Sequence, residues 1–200
     1  MISSPHQTFT RFALGGLILA ASITPAFAQA PFTIEDLVRV QRVEQPVVSP
    51  DGHYVAFAVR ETQLEANRRQ AHLYLLDLSV PHATPRQLTG AGTSDFDPRW
   101  SSDSQTVYFL STRSGSTQVW RIAMQGGEAQ QVTHVPLDVT SLRVAPSGER
   151  IAFSMEVAPD CKDVKCSHDR LAPAKGGEPS GMVFDQLFIR HWDTWNRSRS

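Results

Sequence analysis

An all-β fold is predicted by three observations. "VVSPDGHYVAF" at 47–57 returns as "RWSSDSQTVYF" at 99–109 and as "RVAPSGERIAF" at 143–153, which puts Phe57, Phe109 and Phe153 in register, 52 and 44 residues apart. A second landmark, "RQLT" ending at Thr89, returns as "QQVT" ending at Thr133, again 44 residues on. Between the landmarks, short alternating apolar and polar runs are separated by turn residues, the pattern of half-buried strands. Four such runs per unit at this period are the signature of a β-propeller blade. The chain reads as a partial β-propeller of two to three four-stranded blades, preceded by a signal peptide and a short helix.

The elements follow in order. Arg11 precedes the apolar run "FALGGLILAASI" and then Ala26-Phe27-Ala28, small residues flanking a bulky one as signal peptidase requires. Residues 1–28 therefore read as a signal peptide, against the alternatives of an uncleaved anchor or a buried helix; export places the mature chain in the periplasm or outside the cell, with no stable membrane span after cleavage. Residues 29–45 form the lead-in, in which Thr33 and Asp36 have capping-box spacing and Ile34, Leu37 and Val38 share a helix face expected to pack on the first blade. The incomplete propeller occupies 46–200. Its first blade covers about 46–89, with "ETQLEANRRQ" as a long connector and "HLYLLDL" as third strand. The second covers about 97–133, and its strands are Pro98–Trp100, Thr106–Ser111, Gln118–Met124 and Gln130–Thr133.

In the first blade's turn, Pro50 presets φ, Asp51 bonds back to nearby backbone, and Gly52 takes the left-handed conformation. Ser104 replaces that glycine in the second unit, so strain or a different shape is expected there, whereas Pro146-Ser147-Gly148 keeps the glycine. The recurrence of Asp51 as Asp103, and its replacement by Ser147, assign it to the turn rather than to catalysis. The third blade starts at about 141 and is interrupted by residues 158–181, whose prolines, glycines and cysteine pair read as an inserted loop. An apolar strand-like run follows at Val183–Ile189.

Composition narrows the function. The hydrophobic share is 40%, the charged share 20% and the net charge -1, with Lys and Arg scattered, so no footprint for nucleic acid is present. Cys161 and Cys166 admit three readings: a local disulfide, favoured by an oxidising compartment, a metal site adding His168, or free thiols. The spacing disfavours the metal, and no cofactor or metal site is expected. Asp95 and Asp97 in "SDFDPRW" lack a glycine-spaced third carboxylate and read as a solvated connecting loop rather than a calcium site. There is no G-x-S-x-G, H-E-x-x-H or P-loop, and His191 with Asp193 on one strand-like segment gives no triad, so no catalytic residue is assigned. Arg190, Trp192 and Trp195 form the most unusual cluster, suited either to substrate recognition near a propeller mouth or to packing between blades.

With those residues in place, the units "PVVSPDG", "VAF", "LYLLDL" and "RQLT" resemble the repeats of periplasmic TolB and of the prolyl oligopeptidase family of serine peptidases. The lead-in "FTIEDLVRVQRVEQPVVSPDG", the cysteine-containing insert and "FDQLFIRHWDTW" are similar to the N-terminal part of secreted bacterial dipeptidyl or acylaminoacyl peptidases of that family. The resemblance implies a propeller that admits only short peptides to a C-terminal α/β-hydrolase domain, whose Ser, Asp and His act through an acyl-enzyme. That domain is absent from these residues, so the chain is expected to be a truncated, inactive piece whose parent acts on short peptides. The alternative is a TolB-like, non-catalytic periplasmic interaction propeller.

Overall fold

The structure is a computed structural model that describes residues 31–90 and 92–171, together with the backbone of 190–191 and 194–195. Thr33–Ser200 falls in one compact unit, and Met1–Phe32 forms another of which only Pro31 and Phe32 are described. Val183–Ile189, Trp192 and the expected signal peptide lie outside the described residues. No described helix is long and apolar enough to cross a membrane.

Helix α1 (Ile34–Arg39) starts at Thr33, whose hydroxyl accepts from Asp36 N–H while the Asp36 carboxylate accepts from Thr33 N–H, a complete capping box. None of its residues is fully buried; it meets the second strand of the first blade with Val38 half-buried, while Ile34 and Leu37 stay exposed. The first blade is an antiparallel sheet ordered β1 (Arg42–Val48), β2 (Tyr54–Gln63), β3 (Arg68–Asp77), β4 (Arg86–Gln87). The second repeats that order with β5 (Asp95–Trp100), β6 (Thr106–Ser111), β7 (Gln118–Ala123) and β8 (Gln130–Gln131). Two strands of the third are described, β9 (Val139–Val144) and β10 (Ile151–Met155), in antiparallel register. Helix α2 (Val164–Leu171) follows, inside the stretch expected to be a loop. A short hairpin of β11 (Arg190–His191) and β12 (Thr194–Trp195) ends the described chain.

The sequence landmarks acquire physical roles. Phe57 pairs in register with Tyr74 and Phe109 with Trp120, so each unit carries an aromatic cross-strand pair on the same two strands. The threonine landmarks staple the outer edge of each blade: Thr89 Oγ1 accepts from Leu73 N–H at 3.0 Å, and Thr133 Oγ1 from Val119 N–H at 2.9 Å. Those hydroxyls satisfy edge donors that the two-residue fourth strands leave uncovered. Phe153, the third member of the aromatic set, is 37% exposed.

Packing between blades sets small residues against large ones. Ala56, Ala58, Leu73 and Leu75 of the first blade form one core with Trp100, Val107, Phe109 and Ile122 of the second. The alanines leave room for the two aromatic rings, as close packing requires. On the opposite face of the second blade, Leu110 and Val119 pack with Val139 and Leu142 of the third. Fully burying side chains of this size stabilises by about 1.5–3 kcal/mol each.

All three turns between first and second strands share one form, with Gly52 N–H donating to Ser49 O at 2.9 Å, Ser104 N–H to Ser101 O at 3.1 Å and Gly148 N–H to Ala145 O at 2.8 Å. Ser104 takes the same left-handed conformation as the glycines, at φ 60° against 76° for Gly52. Its hydroxyl accepts from Asp51 N–H of the neighbouring turn at 3.1 Å, which gives a reason for a serine where the repeat elsewhere uses glycine. Gly148 lies against the Ser102 side chain, so a Cβ there would collide with it.

Candidate functional site

The best-built polar arrangement runs across the first strands of the three units, β1, β5 and β9. Each of the first two carries a β-bulge just before its conserved turn geometry, between Glu44 and Val47 in β1 and between Phe96 and Arg99 in β5. The bulged residues are Gln45 and Asp97, both with positive φ (52° and 54°) and both followed by a proline. A bulge re-aims its side chain away from the ladder. Gln45 Oε1 accepts from Asp97 N–H at 2.8 Å, and Asp97 Oδ2 accepts from Leu142 N–H at 3.2 Å. Arg99 closes the second link by donating from Nε to Leu142 O at 3.2 Å, while its guanidinium pairs with Asp97 at 2.5 Å. Trp100 Nε1–H donates to Val47 O at 3.0 Å. Side chains thus cross-link three strands that no backbone ladder joins.

A second charged group lies beside this seam. Asp95 is fully buried and pairs with Arg113 at 2.8 Å, and the guanidinium sits 5.4 Å from the Phe109 ring centre and 4.9 Å from that of Trp120. Arg113 also donates from Nε to Ser111 Oγ at 2.9 Å. The expectation of a solvated loop at Asp95 and Asp97 fails here: both residues are on β5 and buried. A carboxylate in that position requires a partner charge, because an unpaired buried ion is strongly unfavourable.

The turn carboxylates serve their own loops. Asp51 accepts from Ser49 Oγ–H at 2.5 Å and from His53 N–H at 3.0 Å; Asp103 accepts from Ser101 Oγ–H at 2.5 Å and from Gln105 N–H at 3.0 Å. The serine hydroxyl first, and the backbone N–H second, hold both carboxyls below the usual carboxylate range. Gln118 is the hub of the next connection: its amide bonds Thr133 Oγ1, Val135 N–H and O, Leu137 O and Ser116 Oγ. His72 holds the same place in β3, yet its buried Nδ1 has no hydrogen-bond partner among the described residues.

Of the sequence candidates, Arg190 and Trp195 are register partners across the β11–β12 ladder, and Trp192 lies outside the described residues. Cys161 and Cys166 are joined by a disulfide, which leaves neither sulfur available to a metal. His168 instead meets Asp169, with Nδ1 3.2 Å from Oδ1. Sequence reasoning misses Gln45 and Arg99 and reads Asp97 as part of a loop because the repeat draws attention to what recurs, whereas Gln45 and Asp97 share only a position and a following proline.

Comparison with known proteins places this architecture. Residues 39–169 match the family model of the TolB beta propeller domain. Dipeptidyl-peptidase 5 of Porphyromonas endodontalis is 24% identical over 165 residues, covering 82% of this chain and 22% of that protein. The uncharacterized peptidase YuxL of Bacillus subtilis is 27% identical over 126 residues, covering 62% of this chain and 19% of that one. The chain thus spans about a fifth of the length of these curated relatives. The acylaminoacyl peptidase of Pyrococcus horikoshii superposes with a TM-score of 0.51 at 16% identity over 64% of this chain and 19% of its own, a likeness of fold. The match over most of the described residues, on two complete four-stranded blades and the start of a third, means that this chain belongs to the TolB beta propeller domain family.

Proposed function

We propose that these blades are the substrate-gating propeller portion of an exported serine peptidase that cleaves short peptides, of the dipeptidyl or acylaminoacyl type. The observation that carries the reading is the similarity to dipeptidyl-peptidase 5 along 82% of the chain. The contribution of these blades is a wall. First strands cross-linked through Gln45, Asp97, Arg99 and Trp100 resist spreading, and a passage that cannot widen passes short peptides and excludes folded chains. Ala26-Phe27-Ala28 supports export to the periplasm or beyond, and the Arg190, Trp195 and Trp192 segment is the candidate peptide-contacting element.

A TolB-like interaction propeller without catalysis is the second reading, favoured by the family match itself. A fluorophosphonate probe applied to the exported polypeptide that carries these residues separates the two. A labelled serine in that polypeptide, with release of dipeptides or acylated residues from short substrates, is the expected result. An unlabelled polypeptide recovered with envelope proteins would overturn the peptidase reading. Pure 200-residue chain is expected to hydrolyse neither substrate.

A further inference from the structure

We infer that the Cys161–Cys166 disulfide decides whether α2 is folded, so that the start of the insert is a redox-conditioned element. Helix α2 has eight residues, and isolated helices shorter than about 12–15 residues are marginal in water. Such a helix normally persists by burying a face on its neighbours, but Ser167 is the only buried residue of α2, and no extensive packing joins it to the described strands. Among the described residues its supports come from its own segment. Asp163 Oδ1 accepts from Cys166 N–H at 2.7 Å, and Ser167 Oγ accepts from Ala158 N–H at 3.2 Å. Two ion pairs, Lys165–Asp169 and Arg170–Asp160, join side chains that are all more than half exposed, and pairs of that kind contribute little.

The remaining support is covalent. The disulfide joins Cys161, just before the helix, to Cys166 in its first turn, with a sequence separation of 5. Closing a ring of that size favours the ordered state by roughly 40-fold in the loop-closure description. Cys166 is exposed and Cys161 half-buried, so an external thiolate reaches the Cys166 sulfur first. A dithiol reductant then forms a mixed disulfide at Cys166 and releases the Cys161 thiolate, which takes up a proton. Its second thiol resolves the mixed disulfide and frees Cys166. Two electrons and two protons pass to the chain, and the reductant leaves as its own disulfide.

Amide hydrogen exchange of the full chain, read by mass spectrometry before and after treatment with dithiothreitol, tests the inference without reference to peptidase activity. The expected result is two new thiols and exchange across 164–171 faster by roughly 40-fold. Amides of Phe109 and Val119 should keep their protection, and reoxidation should restore slow exchange in α2. The double variant Cys161→Ser with Cys166→Ser should exchange as the reduced chain does and ignore the reductant. Three results would each overturn the inference: unchanged exchange in α2 after reduction, loss of protection in the blades together with α2, or no thiols released by dithiothreitol in the folded chain.

Discussion

The two complete blades share one plan and differ in how they reach their neighbours. Thr89 and Thr133 do the same work inside their own sheets, and so do Ser49 with Asp51 and Ser101 with Asp103 inside their own turns. The departures from the repeat look outward. Ser104 replaces a glycine and receives Asp51 N–H from the neighbouring turn; Asp97 stands where the first blade has Gln45 and holds Leu142 of the next unit; Gln118 stands where the first blade has His72 and gathers the connector that leads onward. What recurs in this sequence builds a blade, and what varies joins one blade to another.

The largest expected effect tests a group that the first blade lacks. Arg113→Ala should leave fully buried Asp95 without its cation and destabilise the chain by about 3–5 kcal/mol in denaturant unfolding. A loss below about 1 kcal/mol would place this pair with ordinary surface ion pairs. Next, Gln118→Leu should cost about 2 kcal/mol by stranding Val135 N–H and two carbonyls, whereas His72→Leu removes a ring whose buried Nδ1 has no partner among the described residues and should be close to neutral. Equal losses would erase the proposed difference between these equivalent positions.

A smaller effect separates strain from bonding at Ser104. Ser104→Ala keeps the left-handed side-chain penalty and removes the acceptor for Asp51 N–H, so a loss of about 1 kcal/mol is expected. Ser104→Gly removes both the penalty and the bond, and the two terms of about 1 kcal/mol each should nearly cancel. A melt in which the glycine variant is the less stable of the two would reverse the assignment.

The smallest effect is on pH dependence. Asp51 and Asp103 titrate below the ordinary carboxylate value in the fold, so the folded chain binds fewer protons than the unfolded one just below pH 4. Their contribution is complete above that range and is lost as pH falls through the lowered values. Asp51→Asn and Asp103→Asn should each flatten the acid limb of the stability profile, while Ser147→Ala in the third turn should leave its shape unchanged.

The parts of the fold legible in the sequence are those set by local chemistry. The Thr33–Asp36 capping box, the left-handed glycines of the SPDG turns and the alternating strands depend on residues a few positions apart. Asp95 and Asp97 were misread because two nearby carboxylates look solvated until their partners are known, and Arg113 lies 18 residues from Asp95 while Leu142 lies 45 from Asp97. Helix α2 was hidden for a related reason: in eight residues Val164 and Leu171 are its only aliphatic side chains, too few for a 3.6-residue pattern to stand out, and its cross-links are invisible to periodicity.

Two of the links along β1, β5 and β9 follow the order of the chain. Gln45 offers its amide oxygen to a backbone N–H made 52 residues later, and Asp97 does the same for one made 45 residues later. As the chain emerges N-terminus first, each of the first two blades already presents the acceptor that its successor will fill. The described blades can therefore be locked together in the order in which they emerge.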